Sequence, residues 1–129
     1  RRAGMIDVDR SAGAAAMRYM LRTARERVSE GHSIVIFPEG TRTKVGEAPP
    51  YQPGIIALYR ELKLPVVPIA LNSGFFWPRR EFVKKSGCIV MELLPPISPG
   101  LSRQEFMDEL KKRIQSATDR LEVEAKAKE

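Results

Sequence analysis

Apolar residues fall along this chain in two rhythms, and the switches between them predict the order of elements. Met17, Leu21, Ala24 and Val28 recur at steps of four, three and four, which puts them on one face of a helix. Arg18, Arg22, Arg25, Glu26 and Arg27 lie mostly off that stripe. Asp9 or Ser11 is the expected cap, because a short side-chain oxygen accepts from the free amides of a first turn. Gly31 is the expected stop, since glycine enters the left-handed region without a Cβ clash. Residues 33–37, Ser-Ile-Val-Ile-Phe, are continuously apolar and β-branched, the pattern of a buried strand in a parallel sheet. Pro38 ends it. Residues 38–53 hold two glycines and four prolines and read as a loop of a length usually found at functional or disordered segments.

A short helix follows over residues 54–62, with Ile55, Ile56, Leu58, Tyr59 and Leu62 on its apolar side. Residues 66–71 predict a second strand, in which Pro68 marks an edge, a bulge or a strand end. Asn72-Ser73-Gly74 reads as a turn, and Cys88 to Leu93 as a third strand closed by Pro95 and Pro96. Ser102 and Glu105 have the spacing of a capping box. Phe106, Leu110, Ile114, Ala117 and Leu121 then recur at helical steps, and the tail EVEAKAKE is expected to fray. Helices alternating with buried strands predict an α/β layer: part of a mixed or mostly parallel sheet flanked by helices, with residues 1–129 forming a single domain.

Composition narrows the class without choosing a function. The chain has 129 residues, 43% hydrophobic and 29% charged, which suits a globular domain and excludes a disordered or collagen-like chain. No apolar run approaches the ~18 residues of a membrane-spanning helix. Twenty-two Lys and Arg against 16 Asp and Glu leave a charge of +6, favouring anionic partners: nucleic acid, an anionic membrane face or phosphorylated small molecules. One cysteine, Cys88, permits no intrachain disulfide and is expected to be a buried structural thiol. With one histidine, His32, a zinc site of the usual kind is excluded, and no metal is expected.

The candidate chemistry lies in Phe37-Pro38-Glu39-Gly40-Thr41-Arg42. Gly40 allows a ligand close to the backbone. Arg42 offers a planar fork of donors that matches phosphate or carboxylate. Glu39 can orient Arg42 or accept from a substrate hydroxyl. Read from spacing alone, the segment is equally an ordinary loop with a surface ion pair. Arg10, just before the first helix, can assist anion binding at its amide-rich end or stand solvated beside a capping Asp9. His32 has no nearby acid or nucleophile that would make it a general base.

These residues resemble the glycerolipid acyltransferase family, whose FPEGTR signature is matched in full by residues 37–42. Val8-Asp9-Arg10 is similar to the end of the family's second motif, and Val66-Val67-Pro68-Ile69-Ala70 to its fourth. The resemblance implies a fold like that of glycerol-3-phosphate acyltransferase. It implies transfer of a fatty acyl group from acyl-CoA or acyl carrier protein, as co-substrate, to lysophosphatidic acid, giving phosphatidic acid without a further cofactor. A first-motif histidine, with an aspartate four residues beyond it, deprotonates the acceptor hydroxyl in that scheme. Arg10 and Arg42 would bind the acceptor phosphate, with Glu39, Gly40 and Thr41 shaping its pocket. Val66 to Ala70 would support the site or the acyl chain.

No such histidine pair occurs in these 129 residues: four residues beyond His32 stands Ile36. With Arg1 first, the chain reads as the C-terminal part of an acyltransferase domain, its catalytic base expected upstream and no catalytic residue within. The parent would work at the cytoplasmic face of the inner (plasma) membrane, while the fragment would be soluble and inactive alone. Missing strands would leave an open sheet edge that invites self-association. Residues 75–85, FFWPRREFVKK, are expected either to face the bilayer or the acyl-donor entrance, or to form an aromatic cap with a solvated basic loop. The alternative function is a non-catalytic basic module for anionic lipid surfaces or nucleic acid. Nucleic acid is disfavoured because the basic residues are interspersed with acids.

Overall fold

The computed structural model describes residues 4–6, 10–40, 46–47 and 49–128, with the backbone only of Arg10. A 3-10 turn at Arg10–Ala12 leads into α1 (Ala14–Ser29). Then come α2 (Pro53–Leu62), β1 (Ile69–Leu71), the short α3 (Ser73–Phe76), β2 (Met91–Leu93) and the long α4 (Arg103–Ala127). The two strands form an antiparallel ribbon, so the described residues make an α/β arrangement of helices on a small sheet. None of the helices is long and apolar enough to cross a membrane.

Each helix boundary has a local cause. The start of α1 differs from expectation: Gly13 occupies the N-cap with no side-chain bond, Ser11 falls inside the 3-10 turn, and Asp9 lies outside the described residues. Gly31 ends the helix as expected. Its N–H donates to Val28 O at 3.0 Å and that of His32 to Arg27 O at 3.0 Å, the paired bonds of a Schellman motif. Pro53 opens α2 from its first turn, where a missing N–H costs nothing. Ser102 caps α4, its Oγ accepting from Glu105 N at 3.2 Å. The helix does not fray at Glu122 but runs to Ala127, because Ala125 prolongs the apolar stripe by one more step of four and is buried.

That stripe organises the core. Phe106 and Leu110 pack with Ile55, Ile56, Tyr59 and Ile97; Ala117 and Leu121 pack with Ala70; Ala125 packs with Phe75 and Phe76. One face of α4 therefore serves α2, β1 and α3 in turn. The Tyr59 ring lies flat on Phe106 with centroids 3.8 Å apart. Its hydroxyl donates to Ser98 O at 2.5 Å and accepts from Leu101 N at 3.0 Å, tying the loop before α4 to α2.

In the ribbon, Ile69 pairs with Leu93, Ala70 with Glu92 and Leu71 with Met91. Alternation turns Ala70 and Glu92 to the α4 side, where Glu92 pairs with Arg120. Ile69, Met91 and Leu93 stay exposed on the other face. Pro68 precedes β1 and is fully buried, as its missing donor requires of a strand end. Asn72 is not in a free turn. It is buried, its Oδ1 accepts from Val90 N at 2.8 Å and its own N–H donates to Val90 O at 3.3 Å. The pairing thus continues one step past the end of β1 through a side chain.

Two expectations are corrected. Residues 33–37 form no strand, and Val35 and Phe37 are 78% and 70% exposed. An extended segment without a hydrogen-bonded neighbour has nothing to hold it as a strand, and among the described residues no such neighbour flanks it. Cys88 is exposed: the third strand forms only at Met91–Leu93, and residues 88–90 lie before it.

Tyr59→Phe keeps the stack on Phe106 but leaves Ser98 O and Leu101 N without the bridging hydroxyl. The expected cost is about 1–3 kcal/mol, read as a lower urea midpoint with an unchanged slope. An unchanged midpoint would show that the hydroxyl bridge contributes nothing.

Candidate functional site

The signature segment begins in a tight turn. Gly40 N donates to Phe37 O at 3.0 Å, which closes Phe37-Pro38-Glu39-Gly40 as a β-turn with proline at its favoured second position. Gly40 has φ 70°, in the region where a side chain is disfavoured. Gln52, just before α2, clamps the turn from the far end of the loop: its N–H donates to Pro38 O at 2.8 Å and its Nε2 to Glu39 O at 3.5 Å. The loop's two ends are therefore joined, and the turn is carried at the N-terminus of α2.

Glu39 is half-buried and lines a cavity of about 160 Å³ between this loop and the middle of α4. Tyr51 and Glu47 line it on the loop side; Lys111, Thr118 and Glu122 line it on the helix side. Burial, reinforced by the Glu39 carboxylate, pushes the Tyr51 hydroxyl up to about 12. Lys111 Nζ stands 5.5 Å from the Tyr51 ring centroid, within cation–π range. Desolvation, then the nearby Asp119, raises the Glu122 carboxyl above its ordinary value. Among the described residues, the arrangement joins carboxylates, a neutral phenol and one ammonium at the edge of the signature turn, a setting suited to accepting hydrogen bonds from a polyol.

Of the residues singled out from sequence, Glu39 and Gly40 lie together on this turn. Thr41 and Arg42 fall outside the described residues, as do Val8 and Asp9. The Arg10 backbone lies in the 3-10 turn leading into α1. In the fourth-motif segment, Val66 bridges to Ile97, with bonds of 2.9 and 2.7 Å, and Ala70 is buried against α4. His32 is exposed, its Nε2 3.7 Å from Glu30 Oε2, on the solvent side of the α1 stop.

Tyr51 and Lys111 were not singled out from sequence, although a signal existed. Lys111, Gln115, Thr118 and Glu122 recur at steps of four, three and four. That polar stripe runs one residue behind the apolar one, and it is the wall of α4 that faces the loop. Tyr51 carried no such signal, being one aromatic in a proline-rich stretch.

The folded chain holds Tyr51 protonated above the ~10 of a free tyrosine. Its contribution to stability is therefore complete below pH ~10 and is lost as pH rises from there towards 12, since the unfolded chain ionises first. Absorbance titration of the parent against Tyr51→Phe should isolate a phenol with a midpoint of about 12. Glu39→Gln should lower that midpoint, and an unmoved midpoint would separate the two groups.

Comparison with known proteins sets this site in a family. The Acyltransferase family model matches residues 1–72, a span that includes both Arg10 and the whole signature. The chain is 32% identical over 111 residues to the 1-acyl-sn-glycerol-3-phosphate acyltransferase of Pseudomonas aeruginosa, covering 86% of this chain and 43% of that protein. It is 34% identical over 94 residues to the enzyme of the same name from Limnanthes douglasii, covering 72% and 34%. To the human 1-acyl-sn-glycerol-3-phosphate acyltransferase alpha it is 31% identical over 96 residues, covering 74% and 34%. The chain thus spans less than half the length of these relatives. No solved structure matches it. A family model covering more than half of the chain, with the signature turn inside the match, makes the chain a member of the acyltransferase family.

Proposed function

We propose that the protein carrying this chain transfers a fatty acyl group from acyl-CoA or acyl carrier protein to lysophosphatidic acid, giving phosphatidic acid, and that residues 1–129 supply the acceptor-binding part. The observation that carries this is the signature turn: Glu39 opens on a polar cavity beside α4 in a chain whose relatives above are all named 1-acyl-sn-glycerol-3-phosphate acyltransferases. The same reading puts the parent at the cytoplasmic face of the inner membrane. It also puts residues 33–37 into a larger, mostly parallel sheet, which would cover the side chains exposed here.

In this scheme Arg42 and Arg10 hold the acceptor phosphate, since guanidinium forks match its oxygens. Glu39 accepts from a glycerol hydroxyl or braces Arg42, and Gly40 lets the acceptor lie against the backbone. The reacting hydroxyl loses its proton to a general base, and its oxygen bonds to the thioester carbonyl carbon. The carbon–sulfur bond then breaks, and the thiol leaves with a proton. His32 is not assigned that role in this reading, because it has no acid partner at the family's spacing and stands exposed at the end of α1 beside Glu30.

In the enzyme containing this chain, Arg42→Ala should lower catalytic efficiency towards lysophosphatidic acid about ten- to a hundredfold, the cost of one charge-assisted contact. The KM for acyl-CoA should stay nearly unchanged. Equal losses towards both substrates in a folded variant would remove Arg42 from the acceptor site. The purified 129-residue chain should release no thiol from acyl-CoA. Turnover abolished by His32→Ala would overturn the assignment.

A further inference from the structure

Residues 77–84 form a projecting loop whose base is built and whose tip is not packed. Lys85 N donates to Phe76 O at 2.9 Å, closing the loop with one backbone bond. Below that bond, Phe75 and Phe76 meet edge to face at 5.1 Å and pack on Ala125 of α4. Lys85 Nζ sits 4.6 Å from the Phe75 ring centroid. Gly87 lies so close to the Phe76 ring that a Cβ there would overlap it. Within the loop, Lys84 Nζ donates to Pro78 O at 3.2 Å and to Glu81 O at 2.6 Å, fastening the tip across its neck.

The tip is apolar and cationic at once. Trp77 is 64% exposed, Val83 73% and Phe82 105%, so the Phe82 ring gains nothing from the fold. Arg79, Arg80 and Lys84 are interspersed with them in the chain, against the single acid Glu81. A protein partner is less favoured, since interface cores are depleted in lysine and Lys84 stands next to Val83 in this tip. A nucleic acid would need a groove that tracks its backbone, whereas this feature projects. An anionic bilayer satisfies both halves: aromatic rings settle at the headgroup level, and phosphates attract the cations beside them.

From this we infer that residues 77–84 are a docking loop for an anionic membrane surface, with Phe82 and Trp77 entering the interface and Arg80 and Lys84 pairing with lipid phosphates. The inference does not require acyl transfer, because binding is read without turnover.

Trp77 is the chain's single tryptophan, so its emission reports the loop directly. The purified chain is mixed with vesicles of equal phosphatidylglycerol and phosphatidylcholine, and with phosphatidylcholine alone. Trp77 emission should shift to the blue and become shielded from acrylamide only with the anionic vesicles, and the effect should weaken with salt. Arg80→Gln/Lys84→Gln keeps amide donors for the loop carbonyls and should lower vesicle affinity about twenty-fivefold, at roughly fivefold per cation. Phe82→Ser should lower it about tenfold by removing buried apolar area, and Phe82→Leu should restore most of it. Unshifted Trp77 emission on anionic vesicles would overturn the assignment, as would undiminished binding by Phe82→Ser. An equal shift on a single-stranded oligonucleotide would reassign the loop to nucleic acid. A shift that grows with protein concentration in the absence of lipid would reassign it to self-association.

Discussion

Stacking Tyr59 on Phe106 sets how α4 lies against α2, and each later contact follows from that setting. With the rings flat on each other, the stripe of α4 has one direction in which to advance. Leu110 meets the α2 cluster, Ala117 and Leu121 meet Ala70, and Ala125 meets Phe75 and Phe76. Alanine stands at two of the later steps of the stripe, Ala117 and Ala125. The helix can therefore run close to the ribbon's single inward alanine and still seat two aromatic rings near its end. The Tyr59 hydroxyl holds the entry to α4 at the same time, through Ser98 and Leu101. Arg113 fastens the exit of β2, its Nη1 donating to Pro95 O at 2.7 Å.

What was legible in the sequence is what depends on neighbours a few residues away. The steps of Met17 to Val28 and of Phe106 to Leu121 predict α1 and α4, and Gly31, Pro53 and Ser102 mark boundaries where the structure has them. These are helix periodicities and caps, which a local stretch decides by itself. Pro68 also kept its meaning, since a residue without an N–H must sit where no ladder bond is needed.

What was not legible depends on distant partners. Residues 33–37 have the composition of a buried strand, but burial and pairing come from other segments, and composition does not say whether they are there. Cys88 failed likewise: the apolar run 88–91 promised a strand, yet only its last residue entered the ribbon, because Asn72 ends β1 by bonding Val90 through its side chain. The tail of α4 erred in the other direction. Ala125 is too small to count as an apolar stripe by eye, and it becomes one because Phe75 and Phe76 bring the bulk.

The candidate site divides in the same way. The loop at the signature was readable because Pro38 stops the apolar run, and the structure adds a turn there with a Gly40 φ of 70°. Its surroundings were not, because Tyr51 and Lys111 reach Glu39 across 12 and 72 positions of chain. Those surroundings constrain the chemistry. Glu39, Glu47 and Glu122 line the cavity with one lysine, and a phosphate placed among them without further cations would be repelled. A phosphate bound here therefore needs cations beyond Lys111, whereas the carboxylates suit the hydroxyls of a ligand. Tyr51, held neutral to about 12, can donate to such a hydroxyl or to Glu39 at any physiological pH without adding charge.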